Sequence, residues 1–178
     1  MKKMDEEKRR RLLEACREAS RLFEEIHPVI VPWALANGDL PDRLAEAVSR
    51  IRDMAKQIPK EWVPMNGAQV AIASVVCDPE RLEAFLAHAR GRLSDAAMGL
   101  LRLFREHPAF LTAFTSVEAL GDDLFSIRDE SSGKTIVLES PSLAEVSRNP
   151  AWLYFTLLFW NGACFQATGP LHYHRGID

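Results

Sequence analysis

The spacing of apolar residues along this chain changes once, near residue 121. Before that point they recur every three or four positions; after it they alternate or run together. A switch of period from about 3.6 to 2 predicts helices first and strands last.

In residues 5–26, Leu12, Cys16, Ala19, Phe23 and Ile26 fall on one helical stripe, and Glu6–Arg10 and Glu7–Arg11 pair at i, i+4 on the other faces. His27-Pro28 is expected to end this helix, because proline disfavours helical geometry in the residue before it. Residues 29–36 are apolar but interrupted by Pro32, and they take no assignment. After an Asn37-Gly38 turn, Pro41 opens a second helix whose stripe is Leu44, Val48, Ile51, Ala55 and Ile58. Residues 60–67 form a loop with Trp62 as a packing anchor. Residues 68–76 are apolar nearly all round and read as a buried helix. Asp78-Pro79-Glu80 is an N-terminal signature, with Asp78 as cap, for a helix carrying Leu82, Phe85, Leu86 and Ala89. Ser94 caps the next, with Ala97, Leu100, Leu101 and Phe104 inward. After His107-Pro108, the spacing of Phe110, Phe114 and Val117 predicts a last short helix stopped by Gly121.

Beyond Gly121, residues 124–129 alternate, 130–134 form a turn and 135–139 a second strand. Ser140-Pro141-Ser142 starts a short helix that ends before Asn149-Pro150. Residues 151–174 then hold two runs rich in aromatic and β-branched residues around Asn161-Gly162, the strongest local hairpin signal. A two-residue turn there sets Trp160 opposite Ala163, Leu158 opposite Phe165 and Thr156 opposite Ala167. The second run is apolar at Phe165, Leu171 and Tyr173 and more polar at Cys164, Gln166, Thr168, His172 and His174. Thr168-Gly169-Pro170 predicts a bulge within it.

The fold class is therefore α+β: a helical part over 1–120 packed on a small antiparallel sheet of two β-hairpins, β-β-α-β-β, over 121–178, together one compact unit. The last strand is expected at an edge, open to a protein partner or to a second copy of the chain.

Composition narrows the classes. Of 178 residues, 47% are hydrophobic and 26% charged, which are globular values, and a net charge of −3 argues against binding driven by phosphate neutralisation. Lys8-Arg9-Arg10-Arg11 makes helix 5–26 basic on one side, but Asp5, Glu6, Glu7 and Glu14 interleave. Nucleic-acid binding through that face ranks third among the readings. Three cysteines far apart (Cys16, Cys77, Cys164) are expected as reduced thiols of a cytoplasmic protein. The longest apolar run, 151–160, is half of what a membrane helix needs, so no membrane span is expected.

Candidate chemistry is sparse. His172-Tyr173-His174 on a strand points two imidazoles to one side, and Cys164 shares their parity if no bulge intervenes. Those three residues are the candidate ligands for one divalent transition metal such as zinc, which needs a further ligand for a closed site. The carboxylates Asp122, Asp123, Asp129 and Glu139 suggest a nuclease-like cation site, but the lysine such a site uses is absent, since Pro141 stands two after Glu139. Gly133-Lys134-Thr135 lacks the upstream glycine of a phosphate loop and joins two strands. Cys164 reads as a small hydrophobe, with nothing nearby in sequence to activate it. The leading reading is a non-catalytic binding or regulatory protein, with no cofactor, acting through macromolecular contacts. The alternative is a metal-dependent enzyme, hydrolase or nuclease-like, that uses His172 and His174.

Overall fold

The computed structural model describes residues 4–37, 67–130, 132–145 and 152–175. The second helix expected from Pro41 to Ile58, and Trp62 after it, lie outside the described residues. Two compact units divide the chain, Met1–Glu18 with Leu111–Asp178, and Ala19–Phe110.

Helix α1 runs over Glu6–Ala36 and contributes to both units. Asp5 starts it by accepting a hydrogen bond from the Lys8 backbone N–H at 3.1 Å, and Glu6 and Glu7 suit the positive end of its dipole. It does not stop at Pro28 as the sequence predicts, but continues through Pro28 and Pro32. The apolar stripe continues too: Ile26, Ile30 and Ala34 are fully buried. Both prolines sit on the exposed face. The carbonyls they leave without an intrahelical donor, at residues 24 and 28, are on that same wet side, so burial of the stripe outweighs the two lost bonds.

The remainder of the helical unit follows its sequence signals. Helix α2 covers Gly67–Val76, α3 Pro79–Ala89 and α4 Asp95–Glu106. Asp78 caps α3 by accepting from the Glu80 and Arg81 N–H groups, and Ser94 caps α4 by accepting from Ala97. The core gathers Ile26 and Ile30 of α1 with Val75, Phe85, Leu101 and Phe104. Arg81, almost buried, donates to the Ala34 carbonyl at 3.3 Å and lies over the Trp33 ring, so the last turn of α1 has a cationic cap.

In the other unit the strands are β1 Phe110–Gly121, β2 Leu124–Asp129, β3 Thr135–Glu139, β4 Trp152–Trp160 and β5 Phe165–Arg175, with the short helix α5, Pro141–Glu145, between β3 and β4. The α+β class holds, but the sheet is a closed barrel in the order β1-β2-β3-β5-β4 rather than two hairpins. The difference begins at β1. Phe110, Phe114 and Val117 have helical spacing, yet the segment also carries Thr112, Thr115 and a second residue per turn suited to a pleat, and it pairs antiparallel with β2. Gly121 and Asp122, both at positive φ, then make the β1–β2 turn instead of ending a helix.

The β2–β3 hairpin is the one the alternation predicts, with Phe125 opposite Leu138 and Ile127 opposite Ile136. Its turn is organised by Asp129, a buried carboxylate that accepts from the Thr112 hydroxyl at 2.6 Å and from the Ser132 backbone N–H at 2.9 Å. Asn161-Gly162 does join β4 to β5, but through four residues rather than two. Trp160 pairs with Phe165 and Leu158 with Ala167. The pairing is displaced by two residues from the expected one, which leaves each side chain on the face its parity gives it. The bulge expected at Thr168-Gly169-Pro170 is present. Leu157 pairs with Thr168 and Phe155 with His172, so residues 169–171 stand opposite Thr156 alone.

Strand β5 is not a free edge at its start: Phe165 and Gln166 pair in parallel with Leu138 and Glu139 of β3. Inside the barrel, Phe114 stacks on Tyr154 at 5.5 Å, with Phe125, Ile127, Leu138 and Leu158 buried around them. Thr156, also buried, has no hydrogen-bond partner for its hydroxyl among the described residues. Replacing that unpaired hydroxyl by a methyl of the same shape removes a desolvation cost. Thr156→Val is therefore expected to raise unfolding stability by about 1 kcal/mol in urea titrations.

Candidate functional site

Strand alternation turns Phe125 and Leu138 into the barrel and their neighbours Leu124, Val137 and Glu139 outward. The first half of α1 lies on this outer surface. Leu12 and Cys16 pack against Leu124 and Cys164, flanked by Met4, Leu13, Leu120, Val137 and Ala163. One turn earlier, the Arg9 guanidinium sits over Gly121 and pairs with Asp122 at 3.4 Å. A Cβ at Gly121 would come within 2.9 Å of Arg9 Nη1.

Within this apolar contact lies a small polar cluster. Cys16 Sγ and Cys164 Sγ are 3.4 Å apart, 148 residues apart in sequence, and each residue is 2% exposed. Asn161 anchors them. Its side-chain oxygen accepts from the Ala163 and Cys164 backbone N–H groups, each at 2.9 Å, which fixes the four-residue turn. Its amide nitrogen lies 3.3 Å from Cys16 Sγ and 3.8 Å from Cys164 Sγ, and donates to Gln166 Oε1 at 3.2 Å. Gln166 in turn donates to the Cys16 backbone carbonyl at 3.1 Å. Glu139, paired with Gln166 across the β3–β5 ladder, completes the cluster.

The electrostatics follow from this arrangement. The hydrogen bond between the two sulfurs raises the Cys16 thiol, helped by burial. The same hydrogen bond lowers the Cys164 thiol, aided by Asn161 and opposed by burial. Glu139 is pushed up to about 7, first by burial and then by the neighbouring Asp123 charge, while a hydrogen bond from Gln166 pulls the other way. A carboxyl that is half-protonated near pH 7, a thiol hydrogen-bonded to its neighbour and two amides make a site that can take up or release a proton.

The three residues expected to share a metal fall at different points of the β4–β5 hairpin. Cys164 is drawn to Cys16 beyond the Trp160–Phe165 pair. His172 and His174 stand opposite Phe155 and Leu153, and Phe155 is four residues, roughly 13 Å, along β4 from Phe159, the partner of Gln166. The side chains of both histidines lie outside the described part of the structure. Among the described residues no three His, Cys, Asp or Glu side chains are grouped to hold a metal ion. The four candidate carboxylates also separate. Asp122 serves Arg9, Asp129 serves the β2–β3 turn, and the Asp123 charge acts on Glu139. Sequence reading placed Cys16 in an apolar stripe and Cys164 as a hydrophobe. The one available signal was the polar parity of Cys164 and Gln166 next to Asn161.

No protein-family model, curated protein or solved structure matches this chain.

Glu139 is an acid whose folded pKa lies above its unfolded one, so its contribution to stability is fully present below about pH 4.5 and lost as pH rises through about 7. The wild-type protein should lose about 2–3 kcal/mol of unfolding stability over that window relative to Glu139→Gln, measured by denaturant titration at successive pH values. Equal slopes for the two proteins would contradict the assignment.

Proposed function

We propose that this chain is a non-catalytic binding protein, cytoplasmic, that acts by contact with a protein partner added along β5. The observation that carries this reading is the uneven pairing of that strand. Among the described residues, β5 is paired on both sides only at Phe165 and Gln166; β3 ends at Glu139, and from Ala167 to Arg175 the ladder is with β4 alone. Helix α5 touches β5, but a five-residue helix covers only a short length of an eleven-residue strand. A strand with one row of backbone donors and acceptors unpaired is a template for an added strand.

Two other readings have less support. Three strands in a meander, a helix, and a last strand parallel to the third is the order of the five-stranded Greek-key barrels of the OB type, which bind oligonucleotides or oligosaccharides on the β2–β3 face and adjoining loops. In this chain α1 occupies that face, through Leu12 and Cys16 on Leu124. The basic side of α1 is also neutralised locally: Arg9 pairs with Asp122, Arg10 with Glu14 and Arg11 with Glu7. Among the described residues no helix is long and apolar enough to cross a membrane.

A photoreactive phenylalanine analogue placed at Leu171, and separately at the adjacent His172, samples both faces of β5. Irradiation in an extract of the source cell should give a protein adduct from one of these positions and none from Glu118, which is exposed on β1. Adducts of equal strength at Glu118, adducts sensitive to nuclease, or none at either β5 position would defeat the proposal. A product at twice the chain mass would identify the partner as a second copy.

A further inference from the structure

We propose that Cys16 and Cys164 form a reversible dithiol–disulfide couple, closed by a small hydroperoxide, that staples the first half of α1 to the β4–β5 turn. The two sulfurs already touch at 3.4 Å, and a disulfide needs about 2.05 Å. The difference is within reach of small side-chain rotations on a helix and a turn. Both thiols lie in the apolar contact of α1 with the outer barrel surface, and both are within reach of the Asn161 amide. Asn161 holds both in register through one amide nitrogen, with its oxygen fixed by two backbone donors.

The chemistry divides between the two residues. Either sulfur can donate across the 3.4 Å contact, and that contact lowers the Cys164 thiol while it raises Cys16, so Cys164 is the attacking sulfur. It attacks one oxygen of hydrogen peroxide. The O–O bond breaks, Cys164 becomes a sulfenic acid, and the departing hydroxide takes the thiol proton and leaves as water. Cys16 then attacks the Cys164 sulfur; the S–O bond breaks, and the hydroxyl leaves with the Cys16 proton as a second water. Two thiols and one peroxide give one disulfide and two waters. With 2% exposure at each residue, a bulky disulfide has no approach, which is why the oxidant is a small hydroperoxide. Reduction by a dithiol reverses the couple once the turn opens.

The full chain with Cys77→Ser, which removes the exposed thiol, is the protein to test. After hydrogen peroxide, quenching and alkylation in denaturant, the intact mass should fall by two hydrogens with no alkyl group added. Peptide mapping should join the segments holding Cys16 and Cys164. The link closes a 148-residue separation, so Tm should rise by about 5–10 °C and return on treatment with dithiothreitol. In the further variant Cys16→Ser, dimedone should label Cys164 and Tm should not rise. Two thiols still alkylated at a peroxide dose that oxidises Cys77 of the wild-type chain would overturn the proposal. So would dimedone labelling of Cys16 in the Cys164→Ser variant at the rate seen for Cys164, or a disulfide formed only between chains.

Discussion

The barrel order β1-β2-β3-β5-β4 sets the last strand beside the third, and among the described residues that seam is two residue pairs, Leu138 with Phe165 and Glu139 with Gln166. They are parallel, so a turn cannot connect the strands they join; the chain must cross over, and it does so through α5 and β4. Much else follows from this short ladder. It fixes where β5 begins, and therefore how many residues remain between Trp160 and Phe165 to reverse the chain. Four remain, which is why Asn161 acts through its side chain, bonding two successive backbone N–H groups, instead of through a tight two-residue turn.

The same closure assembles the polar cluster. Glu139 and Gln166 are neighbours because they are partners in the ladder, and both point outward because Leu138 and Phe165 point in. An outward carboxyl and amide at the end of a barrel would ordinarily be wet. Here α1 covers them with Leu12 and Cys16, so the carboxyl loses water and holds its proton, and the amide turns to the Cys16 carbonyl. The helix thus brings Cys16 to Cys164 as a consequence of seating an apolar stripe, and Arg9 on Asp122 locates it along its axis.

How much of this was legible in the sequence depended on whether the deciding interaction was local. The caps at Asp78 and Ser94 and the alternation of 124–129 against 135–139 are settled within a few residues and read correctly, whereas the Asn-Gly reversal was located but expected through two residues where the chain uses four. Strand β1 did not read correctly, because Phe110, Phe114 and Val117 satisfy a helical stripe as well as an irregular strand, and the choice is made by β2 on the other side of the ladder. Helix α1 ran past Pro28 because tertiary burial of Ile26, Ile30 and Ala34 overrode a local stop. The thiol pair was beyond reach for the same reason. Each cysteine looks like a small apolar residue in its own segment, and 148 positions separate them.

Asn161 carries one more consequence, a chemical one. Asparagine followed by glycine is the peptide sequence most prone to lose its amide, since the following nitrogen, unhindered by a side chain, can attack the side-chain carbonyl. In this fold both ends of that amide are occupied, the oxygen by two N–H donors and the nitrogen by sulfur and Gln166. The arrangement that fixes the turn therefore also slows its ageing. Each episode of local unfolding at 161–164 exposes the amide to that attack. A chain that ages there gains a carboxylate beside two sulfurs and loses the donor they share, so the lifetime of the site is set by how seldom this turn opens.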